Sequence, residues 1–185
     1  MAIRYLIKVY GVGVDDELLE WLVLSLRDMF NADVEAVPRG LPIGEALRFY
    51  NHQREQVDAA AMLDYLQERI RPPPGGRILV IVNGDGYVEG LNFVFGVAKP
   101  GWGGIVFTGH LDPTFYGQPP SPGLLRARLL KEALHELGHS YGLSHCRGDC
   151  VMRFSNSVYD VDKKPARFCP RCRAELNYLQ PGLLR

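Results

Sequence analysis

Five apolar residues in succession, Ile78-Leu79-Val80-Ile81-Val82, constrain this chain most. Side chains of a strand alternate between its two faces, so a run with no polar position suits a strand buried on both sides. Such a strand needs a covering layer above and below, and the flanking sequence offers elements to build them. Residues 2–10 place Ile3, Tyr5, Ile7 and Val9 on one face and predict a strand. Asp15 or Asp16 can cap a helix reaching about Phe30, with Leu18, Leu22, Leu26 and Phe30 on one stripe. Residues 33–37 predict a short strand and 38–42 a loop. A helix over about 51–70 repeats Ala59, Met62, Leu63, Leu66 and Ile70, until Arg71-Pro72-Pro73-Pro74-Gly75-Gly76 stops it. Strands near 92–98 and 104–108 flank a Lys99-Pro100-Gly101 turn. Ser121 is a natural N-cap and Pro122 suits the first position of a long helix continuing to Gly142. An irregular, cysteine-bearing tail follows. The order predicts an α/β layer domain, one unit over 1–185, with residues 1–142 as an upper part and 143–185 as a small C-terminal subdomain.

Composition narrows the partners. The 185 residues carry 21 Lys plus Arg against 21 Asp plus Glu, a net charge of zero. A protein built to grip nucleic acid or an anionic membrane normally carries a positive excess, so neither partner is expected. No stretch reaches the roughly 18 apolar residues of a membrane span. The start, Met1 to Lys8, has charges spread through it and lacks the pattern of a secretory leader, so a reducing cytoplasm is the expected location.

The chemistry concentrates between residues 135 and 172. His135 and His139 stand one turn apart on the long helix, so both imidazoles leave the same face and can share a metal. Glu136 puts its carboxylate beside that metal rather than on it. Gly142 can take the left-handed conformation that ends the helix and turns the chain back, and His145 can then deliver a third nitrogen. Three neutral imidazoles leave one tetrahedral position of Zn²⁺ open for water, the mark of a catalytic site. Zinc lowers the pKa of water from about 15.7 to near 7 and polarises a peptide carbonyl, while Glu136 takes the proton and passes it to the leaving amine. Three of the five histidines fall in these eleven residues. His52 and His110 have no such pattern and are read as structural or surface residues.

All four cysteines follow at once: Cys146, Cys150, Cys169 and Cys172. Two ligand-spaced pairs read as a closed, structural Cys₄ zinc site, which makes two zinc ions per chain. Two disulfides are the alternative, disfavoured in a reducing compartment. Because Cys146 directly follows His145, the structural zinc would pin the third catalytic ligand.

His135-Glu136-x-x-His139-x-x-Gly142-x-x-His145 followed by Met152 resembles the metzincin clan of zinc metallopeptidases, with Met152 at the Met-turn. The cysteines make the combination similar to the archaemetzincins. Tyr50-Asn51-x-x-Arg54-x-Gln56 and Phe93-Val94-Phe95-Gly96-x-Ala98 extend the likeness over most of the chain. The family pattern has four residues between its first two cysteines and seventeen between the methionine and the third; this chain has three and sixteen. The shorter loop leaves two outcomes for His145, facing the metal or turned from it.

The resemblance implies a zincin-like metalloprotease domain with a twisted mixed sheet above an active-site helix, and a cleft whose edge strand binds an extended peptide. Residues 92–98 are the candidate edge, and Met152 a hydrophobic floor under the metal. It further implies hydrolysis of short peptides, with aminopeptidase-like cleavage one form. Some metzincins have a tyrosine ligand two residues beyond the methionine, but Phe154 stands there. The competing reading is a zinc-stabilised, non-proteolytic binding module using Lys163, Lys164, Arg167, Arg171 and Arg173; a solvated face is the plainer account of that cluster.

Overall fold

The computed structural model describes residues 4–185. Its elements are β1 (Tyr5–Val12), α1 (Asp16–Met29), β2 (Ala32–Ala36), α2 (Ile43–Leu47), β3 (Tyr50–Asn51), β4 (Gln56–Asp58), α3 (Ala59–Arg69), β5 (Arg77–Val82), β6 (Gly86–Tyr87), β7 (Gly96–Lys99), β8 (Gly103–Phe107), α4 (Pro122–Ser140), α5 (Val158–Lys163) and α6 (Pro170–Leu179). A five-stranded mixed sheet runs in the order β2-β1-β5-β8-β7; only β7 is antiparallel to its neighbour. Ile3, expected in the first strand, lies outside the described residues.

The apolar run at 78–82 divides as its alternation requires. Leu79 and Ile81 join a core with Tyr5, Ile7 and Val9, packed on α1 and α4. Ile78, Val80 and Val82 face the other way, against Ala59, Met62 and Leu66 of α3. Helices therefore cover both faces of β5, and its six residues are all buried. The long helix begins as expected: Ser121 Oγ accepts from the Leu124 N–H at 3.3 Å and Pro122 opens the first turn. It ends at Ser140, two residues short of the expected limit.

Three other expectations change. The predicted helix over 51–70 starts only at Ala59, and residues 50–58 form a β3–β4 hairpin in a second sheet ordered β3-β4-β6. Local side chains win there. Asn51 Oδ1 accepts from the Gln53 and Arg54 N–H groups, Glu55 sits at φ 55°, and Asp58 caps α3 through the Ala61 N–H. Residues 92–98 are not strand throughout. Arg54 holds the Leu91 and Asn92 carbonyls and Gln56 the Asn92 carbonyl, so strand begins at Gly96. The tail is helical in two places: Asp160 accepts from the Ser157 N–H to start α5, and Pro170 occupies the first turn of α6.

This tail shares the core of the sheet. Met152, Val161, Phe168 and Leu176 pack in one cluster with Leu22 and Leu26 of α1. The Leu183 carbonyl accepts from the Asn31 N–H and Pro181 from the Tyr5 hydroxyl, tying the last residues to β1 and β2. No helix among the described residues is long and apolar enough to cross a membrane.

Candidate metal centre and cleft

The helix α4 can lie close under β7 and β8 because two strand positions have no side chain. A Cβ at Gly96 would come within 2.8 Å of Glu136 Oε1, and one at Gly104 within 2.9 Å of the Glu136 Cβ. The Glu136 carboxylate is thereby tucked beneath the edge of the sheet and is buried. Burial, followed by the neighbouring charge of Glu132, raises its pKa well above the ordinary carboxylate range. Gly138 serves the opposite face: a Cβ there would overlap Met152 Sδ, and Met152 is fully buried.

After Ser140, Gly142 takes φ +112° and the Leu143 N–H reaches back to the Gly138 carbonyl. This reversal does two things. It directs the Leu143 carbonyl at His139 Nδ1, 2.8 Å away, and it brings His145 into the cluster. His135 Nδ1 meets the Val151 carbonyl at 2.8 Å, the residue before Met152. A carbonyl can only accept, so both Nδ1 atoms carry hydrogen and both Nε2 atoms are bare. Those two bare nitrogens face each other at 3.1 Å. Two lone pairs at that distance repel unless a cation lies between them. A proton is a poor candidate, because burial lowers the pKa of both rings. The spacing instead matches the ~3.3 Å expected between nitrogens bound tetrahedrally to zinc. Ligand atoms of His135, His139 and His145 all lie within 4.8 Å of one another, so the shorter cysteine loop leaves His145 facing its partners.

The four cysteine sulfurs likewise gather within 4.8 Å, and none forms a disulfide. Cys146 and Cys169 Sγ are 3.8 Å apart, the ~3.8 Å that two thiolates at 2.3 Å from a tetrahedral zinc require. Backbone N–H groups of Gly148, Met152, Cys169 and Cys172 point at these sulfurs. The Cys172 N–H does most to lower the Cys169 thiol to about 7, whereas burial raises Cys150 and Cys172.

Above the histidines lies a cavity of about 480 Å³, walled by β7 and the segment before it on one side and by Phe154 to Asn156 on the other. The two upstream segments singled out in the sequence meet here: Arg54 and Gln56 hold the backbone leading into Phe93. His110 stands apart from the trio, 3.0 Å from Asp85 and stacked on Phe93, and His52 is exposed. Lys164, read in the sequence as part of an exposed basic cluster, is instead buried beside Glu132. Arg167 is engaged by Asp149, which weakens the basic-surface reading further. Sequence reasoning missed Glu132; its position three residues before His135 on the same helix face was the available signal.

The model of peptidase family M54 matches residues 12–178. The chain belongs to peptidase family M54. Curated relatives include the archaemetzincin of Pyrococcus furiosus, 43% identical over 94% of this chain and 93% of its own length, and that of Archaeoglobus fulgidus, 38% identical over 93% and 99%. The crystal structure of the A. fulgidus archaemetzincin complexed with malonate superposes with a TM-score of 0.75 at 36% identity, covering 94% of this chain and 99% of that one. A zinc-dependent peptidase from Methanocorpusculum labreanum gives a TM-score of 0.74 at 29% identity, covering 94% and 100%. As an M54 member the chain has the mixed α/β zincin-like fold, and its histidine and cysteine clusters suit zinc.

Proposed function

We propose that this chain hydrolyses peptide bonds at a zinc ion held by His135, His139 and His145, with Glu136 as general base and then acid. A second zinc, structural, is held by Cys146, Cys150, Cys169 and Cys172. One observation carries the reading: two bare imidazole nitrogens 3.1 Å apart, beside a buried carboxylate and under an edge strand. Zinc, when bound there, supplies Lewis acidity that polarises a carbonyl oxygen and brings the pKa of water from 15.7 to about 7.

The protein's own groups do the rest. Glu136, buried beside the histidines, would act in its ionised form to take a proton from attacking water and would then return it to the leaving amine. The Val151 and Leu143 carbonyls hold the two helix histidines in one tautomer and orientation. Met152, packed under Gly138, closes the floor. β7 lies at the sheet edge, and Val97 and Ala98 line the cavity, so an extended peptide can pair with its backbone. Short peptides are the expected substrates.

The test is a peptide library incubated with zinc-loaded protein and with Glu136→Ala, products read by mass spectrometry. Turnover should vanish in the variant while zinc content is unchanged; retained turnover would sink the mechanism. The cut positions separate aminopeptidase from endopeptidase action. His145→Ala should lower zinc affinity at the histidine site, and an unaltered affinity would remove His145 from the ligand set.

A further inference from the structure

The cavity has a polar end that the hydrolytic residues leave unused. Glu132 precedes His135 by one helical turn, on the same face, and its buried carboxylate lines the cavity with Glu136 and the three histidines. Lys164 Nζ lies 2.8 Å from Glu132 Oε1, and the two side chains are 1% and 3% exposed. The lysine also reaches the Arg153 carbonyl at 3.4 Å, which braces the chain leading into Phe154 and Ser155. Charge balances here, but hydrogen bonding does not. The Lys164 ammonium answers Glu132 Oε1, but Ser155 Oγ, also lining the cavity, is buried without a partner among the described residues. Around them Val94, Phe95, Val97 and Phe154 form apolar walls.

A buried ion pair is costly to keep, and a buried hydroxyl without a partner adds its own desolvation penalty. Ser155 Oγ and the Glu132 carboxylate border the cavity above the histidines, which a substrate side chain can enter. We infer that this end of the cavity is a specificity pocket, taking the side chain beside the scissile bond and selecting an uncharged hydrogen-bonding one: Gln, Asn, Ser or Thr. The carboxylate accepts the substrate's N–H or O–H, and the Ser155 hydroxyl donates or accepts as the partner requires. An aliphatic side chain would fill the walls and leave Ser155 Oγ unpaired. A charged side chain finds no free counter-charge at this end, because Glu132 and Lys164 already neutralise each other. The inference rests on the peptidase reading, because it supposes a peptide in the cleft.

Two measurements separate the failure of one from the failure of the other. A positional-scanning hexapeptide library is incubated with zinc-loaded wild-type protein, and the same library is passed over immobilised zinc-loaded Glu136→Ala, with retained peptides identified by mass spectrometry. One position should favour Gln, Asn, Ser and Thr by at least ~10-fold over Leu, Phe, Lys and Asp, in both cleavage and retention. The paired substitution Glu132→Leu with Lys164→Met, which removes both charges together, should turn that preference toward Leu and Met. Ser155→Ala, at a partly exposed position where folding is not at risk, should lower kcat/KM several-fold for the polar peptides and leave aliphatic ones unchanged.

Polar-selective retention without cleavage would overturn the peptidase reading and keep the pocket. Cleavage or retention with an aliphatic or charged preference would overturn the pocket and keep the peptidase. Retention of no peptide at all would overturn the pocket, as would a wild-type profile in both the paired variant and Ser155→Ala.

Discussion

At the scale of single residues, the site is made as much by missing side chains as by present ones. Gly96 gives Glu136 its place under the sheet, and adding one carbon there puts it 2.8 Å from the carboxylate oxygen and 2.7 Å from the Ile105 carbonyl. Gly96→Ala should therefore lower kcat about 100-fold with zinc retained, because displacing a catalytic group by ~1 Å costs that order. Steady-state kinetics beside metal analysis checks it, and an unchanged kcat would show that the carboxylate tolerates the shift. Gly138→Ala meets Met152 instead, on the side away from the cavity. Overpacking of this kind costs about 1–3 kcal/mol, readable as a lower urea midpoint. Neither consequence is visible in the sequence, where these glycines look like weak points of a strand and a helix. The candidate ligands His135 and His139, with Glu136 beside them, were by contrast legible because one helical turn puts i and i+4 together regardless of what surrounds the helix.

Among elements, α4 and the turn after it set the geometry. Gly142 at φ +112° lets one reversal present both a carbonyl for His139 and the imidazole of His145. Gly142→Ala should cost about 1–2 kcal/mol in backbone strain. Its loss of the carbonyl that orients His139 should weaken zinc binding at the histidine site ~10–100-fold, measured by chelator competition. On its outer face α4 is fastened to α5. Arg128 makes two 2.8 Å bonds to Asp162, and Lys131 Nζ donates to the Val161 and Asp162 carbonyls. The sequence read α4 almost to its end from its cap and period. It misread the start of α3, because the polar side chains of residues 51–58 bond their own backbone and outbid a helix that periodicity alone would extend. α5 and α6 went unseen because they are short and gain their stability from the core they join rather than from a long apolar stripe.

Across the whole molecule, the core on the α4 face of the sheet and the two ligand clusters are joined through a few residues. Cys146 follows His145, the Val151 carbonyl holds His135, and Cys150 and Met152 flank that carbonyl. Replacing Cys169 and Cys172 by Ser together should remove one zinc equivalent. It should also weaken zinc at the histidine site by an order of magnitude or more, since the chain that orients its ligands is loosened. Equal affinity at the histidines in that variant would show the two sites to be independent. The sequence by itself determined the layered α/β class, through an apolar run suited to a doubly covered strand and the order of strand and helix patterns around it. It also singled out the metal-ligand candidates, since the histidine spacing and the spacing within each cysteine pair are local, while bringing the two cysteine pairs together is a tertiary contact. The tertiary structure decided what lies between distant segments: the burial of Lys164 against Glu132, the glycines that admit Glu136, and the polar end of the cleft. Those depend on contacts between residues far apart in the chain, set by how layers close on one another, and no periodicity encodes them.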